Sequence, residues 1–193
     1  MKNPLKLIGL HGEPGCGKDT IAEFLADNYE FKRISLADPL RKGISAMFQL
    51  PPEYLTDRDL KEKPMDRLCG KSPRQVMQTL GTEWGRKTLC NDIWLKIAQL
   101  EIDYNQKLAN ANNYYIKGVV ISDIRFEGEA KWLRDQGGII WHIYRPENPY
   151  AIKTDHESEQ GITVNVDDDI LVVNDSSIED LQNFASLIIE QME

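Results

Sequence analysis

Cysteine is scarce in this chain. Cys16, Cys69 and Cys90 are an odd, widely spaced set, which excludes a disulfide framework or a cysteine metal finger and leaves reduced thiols. Long apolar runs are also missing: no stretch approaches the ~18 continuous apolar residues of a membrane-spanning helix. The opening MKNPLKLIGLHGEP is interrupted by Pro4 and Lys6 and leads into a glycine loop. It therefore lacks the form of a secretion signal, and a cytoplasmic protein is the expectation. Basic charge is in short supply, with 23 Lys and Arg against 31 Asp and Glu and a net charge of -8. This balance argues against a nucleic-acid polymer or an acidic membrane as partner. After Pro146 the only Lys or Arg is Lys153, so a site for an anionic ligand has to be built from earlier residues. Internal repeats and low-complexity tracts are absent too.

What is present suits a single domain over residues 1–193, with enough apolar residues, 41%, to bury a sizeable core. Five short apolar runs read as strands: LKLIGL (5–10), KRISL (32–36), GVVISD (118–123), GIIWHIY (138–144) and DILVV (169–173). Helical spacing separates them. One helix runs to about Asn28, with Ile21, Phe24 and Leu25 on one face, and another opens near Pro39. A third covers Pro73 to about Lys87, with Val76, Met77, Leu80 and Trp84 inward. A fourth covers Asp92 to about Ala109, with Ile93, Ile97, Leu100 and Tyr104 inward. A fifth spans Glu127 to Gln136. The last follows a capping box of Ser176 and Glu179, with Ile178, Leu181, Ala185 and Ile188 on its apolar face. Strands alternating with helices predict an α/β fold: a parallel sheet of about five strands with helices on both faces. Residues 50–72 and 145–166 are polar and irregular, and read as a substrate-side flap and a lid rather than core. Such sheets bind ligands beyond the carboxyl ends of their strands.

The chemistry-bearing residues fall at those ends. GEPGCGKDT places Gly12, Glu13, Pro14, Gly15, Cys16, Gly17 and Lys18 in the Gly-x-x-x-x-Gly-Lys spacing, between a strand and a helix. Backbone N–H groups in such a loop cradle a polyphosphate, and the helix dipole and the lysine add positive charge. Asp19 stands where Ser or Thr is usual, with Thr20 one step later. A carboxylate there can bind magnesium or cap the helix, and the sequence leaves both open. Asp123, closing the third strand, is likewise either a magnesium-site acid or a cap; Asp38 is either a cap or an orienter of an acceptor. Transfer between two phosphorylated molecules needs concentrated positive charge, which arginine supplies in bidentate form. Arg41, Arg74, Arg86, Arg125 and Arg145 are the candidates. His156 reads as solvated, and Trp84 and Trp94 as helix core.

Several stretches in order resemble the deoxynucleoside monophosphate kinases of bacteriophages, within the P-loop kinases: GCGKDTIAEFL, SLADPLRK, SPRQVMQTLGTEWG, VVISDIRFEGEAKWLRDQGGIIWHIYRP, DHESEQGI and DILVVNDSSIEDL. GKDT looks like that family's own form of the loop. The resemblance implies a three-layer P-loop kinase fold with lid and flap, and magnesium-dependent transfer of the terminal phosphate of ATP to a nucleoside monophosphate. It places Lys18 and the loop on ATP and Arg145 at the base of the lid. Arg74 and Arg125 would lie at the acceptor phosphate, near Arg41 and Asp38. In contrast to many such lids, residues 146–166 carry no arginine. Another small-molecule kinase, such as one acting on dephospho-coenzyme A or a sugar, and a nucleotide-binding switch are the competing readings. Whether the chain forms a homodimer stays open.

Overall fold

A computed structural model describes residues 5–111, 115–149 and 161–192. His156 and the middle of the expected lid lie outside them. The chain divides into two compact units, Met1–Ser35 with Leu100–Glu193, and Leu36–Gln99.

The first unit holds the sheet. Its strands are β1 (Lys6–His11), β2 (Phe31–Ile34), β3 (Gly118–Ile121), β4 (Ile139–Tyr144) and β5 (Ile170–Val173). All pairings are parallel, in the order β2-β3-β1-β4-β5. The five strands expected from the apolar runs are all present. Alternate residues of a strand face opposite sides. Ile8, Leu10, Val120, Trp141, Ile143 and Val172 share one core with Ile21, Leu25, Leu181, Ala185 and Ile189, from α1 (Lys18–Asn28) and α7 (Ile178–Gln191). Each fully buried aliphatic side chain in it contributes about 1.5–3 kcal/mol relative to exposure. Leu133 of α6 (Glu127–Arg134) approaches β1 from the other face: a Cβ on Gly9 would meet it at 2.6 Å. Among the described residues no helix is long and apolar enough to cross a membrane.

The second unit is helical. It contains α2 (Asp38–Phe48), α3 (Glu53–Thr56), α4 (Pro73–Gln78) and the start of α5 (Ile93–Ala111). Residues 50–72 are not a loose connection. Leu50, Leu55 and Leu68 are buried with Ile44 and Val76 in a core of their own. Their spacing follows no single helix or strand, which hid them from a periodicity argument.

Three predicted helix faces need correction. After α4, capped by a Ser72–Gln75 box, the chain continues as a π-helix over Thr79–Leu89. Its wider winding carries Gly81, Thr82 and Gly85 inward and leaves Trp84 47% exposed. Trp94 sits against Gly85, where a Cβ would lie 2.5 Å from its ring, and donates its indole N–H to Gly81 O at 2.8 Å. Anchored at Trp94, α5 buries Leu95, Ala98 and Ile102, so Leu100 and Tyr104 are 70% and 61% exposed. The last capping box is Ser177 with Asp180, one residue later than expected. It starts α7 at Ile178, which is 65% exposed.

Candidate active site

β1 delivers its chain into the glycine loop. Gly12, Gly15 and Gly17 have φ of 148°, 80° and 112°, values that side-chain-bearing residues rarely adopt. A Cβ on Gly12 would also lie 2.3 Å from Ile143 O and 2.7 Å from Cys16 Sγ. Gly12→Ala is expected to lower stability by about 1–3 kcal/mol through backbone strain alone. Urea denaturation measures this, and an unchanged midpoint would show that the loop relaxes freely.

Lys18 opens α1 and folds back over the loop. Its Nζ donates to Gly12 O at 2.6 Å and Glu13 O at 2.7 Å. Cys16 is buried in the core under the loop, and burial raises its thiol pKa against the pull of Lys18. Thus Cys16 fills space as a neutral thiol. Two asparagines unmarked by sequence reasoning brace the loop from outside, and a histidine leads into it. Asn174, the first residue after β5, donates to Cys16 O at 2.8 Å. Asn148 donates to Pro14 O at 3.0 Å. His11 is the last residue of β1. Their only sequence signal was position, at or just beyond a strand's carboxyl end. Arg145 donates to Gly15 O at 3.3 Å, so the expected lid-base arginine touches the loop.

Asp19 is turned outward. Arg33 pairs with it at 2.6 Å and with Glu23 at 2.7 Å. The N-cap of α1 is Gly17, without a side-chain cap; Asp19 makes no capping hydrogen bond but stands in the first turn, where the helix dipole favours a carboxylate. Thr20 lies in the same first turn, half-buried.

β2 and β3 end side by side. Ser122 N donates to Ile34 O at 3.0 Å, and Ser35 Oγ donates to the buried Asp123 Oδ2 at 2.6 Å. This orients the Asp123 carboxylate. Beyond it, Arg125 N and Phe126 N donate to Glu129 Oε2 at 2.7 and 3.1 Å, and Glu129 is itself buried in the first turn of α6. Arg125 is thus held by its backbone at the end of β3.

In the second unit, Asp38 and Arg41 pair with each other at 2.7 Å across the first turn of α2. Its N-cap, Ala37, makes no side-chain cap, so Asp38 is not the cap. Arg74 pairs with Glu62. Arg86 reaches Asn91 O at 3.4 Å.

A buried polar chain lies beside the loop strand. Asp169, with no exposed side-chain surface, receives Arg134 at 2.5 Å and His142 Nε2 at 3.0 Å. Asn165 N adds a bond at 2.8 Å. The rings of His142 and His11 meet edge-on at 5.3 Å. Arg134 also donates to Thr163 O at 3.0 Å, fixing the segment that enters β5.

For magnesium, the oxygen donors have the right chemistry. Asp123, buried and oriented by Ser35, fits an ion carried on a nucleotide's phosphates. Asp19 would first have to leave Arg33. Among the described residues no three His, Cys, Asp or Glu form a cage of their own, and magnesium on nucleotides does not use one.

Comparison with known proteins gives a consistent picture. The family model for deoxynucleotide monophosphate kinase matches residues 70–184. A protein of Acanthamoeba polyphaga mimivirus, provisionally named a deoxynucleotide monophosphate kinase, is 35% identical over 182 residues, covering 90% of this chain and 91% of its own. The deoxynucleoside-5'-monophosphate kinase of Escherichia phage T5 is 26% identical, covering 81% and 84%. Among solved structures, TT1252 from Thermus thermophilus superposes with a TM-score of 0.53 at 15% identity, covering 99% and 100%, a likeness of fold alone.

Proposed function

The chain belongs to the deoxynucleotide monophosphate kinase family, and from that premise we propose how its residues move a phosphoryl group from ATP to a deoxynucleoside monophosphate, giving ADP and the diphosphate. The observation that carries the reading is the glycine loop with Lys18 folded across Gly12 and Glu13, at the end of the central strand of a sheet whose neighbouring strand, β3, is followed by Asp123 and Arg125.

The loop from Gly12 to Thr20 binds the ATP phosphates through its N–H groups, and Lys18 exchanges its carbonyl partners for phosphate oxygens. Asn174, Asn148 and Arg145 keep the loop in shape from outside. Arg125 holds the acceptor phosphate. Arg74, Arg41 and Asp38 are assigned to acceptor binding from the family resemblance, and Arg86 from the need for positive charge there; for Arg74 the phosphate displaces Glu62. Asp123, oriented by Ser35, would hold magnesium through its water shell, with Asp19 as the weaker candidate. The ion supplies charge neutralisation between the phosphates. Little covalent work falls to the protein in such transfers: positioning and fixed positive charge carry most of the catalysis.

The test is a panel of deoxynucleoside and ribonucleoside monophosphates, dephospho-coenzyme A and unphosphorylated sugars, with ATP and magnesium, read by ADP release. One or more deoxynucleoside monophosphates should give turnover well above ATP alone, and the unphosphorylated acceptors should not. Stimulation only by the other acceptors would replace this reading.

A further inference from the structure

His11 is half-buried and directly precedes Gly12. Its Nδ1 lies 2.9 Å from Ile124 O. A carbonyl oxygen only accepts, so Nδ1 is the donor. Burial lowers the ring's pKa most, the bond to Ile124 O raises it, and His142, Lys18 and Arg125 lower it further, leaving it below its ordinary value. The ring is therefore neutral, with its proton on Nδ1. Ile124 N in turn donates to Leu10 O at 3.1 Å.

The peptide plane between Ile124 and Arg125 is thus gripped at both ends. Its carbonyl oxygen accepts from His11 Nδ1, and its N–H, that of Arg125, donates to Glu129 Oε2 at 2.7 Å. If one grip is released, the plane can rotate about the other and swing the Arg125 side chain. We propose that His11 is a positioning residue for Arg125, fixing through the Ile124 carbonyl where that guanidinium meets the acceptor phosphate relative to the glycine loop. This deepens the reading above and rests on it. The assignment comes from one bond and its place in the backbone.

His11→Ala removes the donor. His11→Asn keeps an N–H near the position of Nδ1 without an ionisable ring. Arg125→Ala is the reference. In His11→Ala, kcat/KM for the monophosphate is expected to fall about tenfold or more, as misplacement of a positioning group does, with the KM for ATP within about twofold. His11→Asn should recover most of the loss. The double variant His11→Ala/Arg125→Ala should be no worse than Arg125→Ala alone. Equal impairment of the Asn and Ala variants would overturn the proposal, as would full additivity with Arg125→Ala.

Nitrogen NMR of the His11 ring supplies a check that needs no kinase assay. A neutral Nδ1–H tautomer is expected, and an Nε2–H tautomer overturns the role of His11 alone. A wild-type protein that phosphorylates no monophosphate overturns the acceptor reading, and the His11 role with it.

Discussion

Lys18→Ala should lower turnover about a hundredfold or more, the loss seen when one preorganised stabiliser of developing charge is removed. Lys18 bridges the first two loop residues at 2.6 and 2.7 Å and is the only Lys or Arg between Gly12 and Thr20. Its ammonium can follow the transferring group with three rotatable donors, a task that arginine's planar fork does not reproduce. Accordingly, Lys18→Arg should remain far below wild type. The side chain lies outside the apolar core, so thermal unfolding should change little while turnover collapses. Single-turnover assays separate chemistry from product release. Turnover near wild type in Lys18→Ala would end the proposed role of the loop in transfer.

Asp169→Ala should cost about 3 kcal/mol of stability, because breaking a buried ion pair leaves its partner uncompensated. Arg134 donates to both carboxylate oxygens, at 3.2 and 2.5 Å. Asn165 N and His142 Nε2 also donate to Oδ2, at 2.8 and 3.0 Å. Arg134 remains 21% exposed, so water keeps the loss near the lower end of the roughly 3–5 kcal/mol that breaking a buried pair costs. Urea midpoints give the figure, and a loss below about 1 kcal/mol would place the pair with ordinary surface bridges.

The same pair predicts an acid limb. Burial alone would raise the Asp169 pKa, but Arg134, Asn165 and His142 together hold it below its ordinary 3.8. As pH falls below that value the unfolded chain takes up this proton first, and the stability from the pair is lost as pH passes through the lowered folded value. Asp169→Ala should show a flatter decline there.

Much of the fold was legible because parallel strands buried on both faces are continuous apolar runs, and because the glycine-lysine spacing needs no tertiary information. The unread parts depend on it. A 3.6-residue period put Trp84 inside, and the π-helical winding of Thr79–Leu89 put Gly85 there instead. Trp94 then set the rotation of α5, exposing Leu100 and Tyr104. Leu50, Leu55 and Leu68 looked like loop residues because they meet only after the chain has folded.

At the site, Lys18, Arg125 and Arg145 stood out by type and place. The pairing of Asp19 with Arg33 joins residues 14 apart, and the carbonyl that His11 grips is 113 residues away. Neither relation leaves a local pattern to read.

The central place of β1 also has a bearing on biosynthesis. Lys6 aligns with Gly118 of β3, and Ile8 with Ile139 of β4. At about 5–20 residues per second of elongation, the first strand waits roughly 6–20 s before either flanking strand has left the ribosome. During that wait KLIGLH offers two unpaired hydrogen-bonding edges, so its exposure to edge-to-edge pairing falls while the chain is still being made.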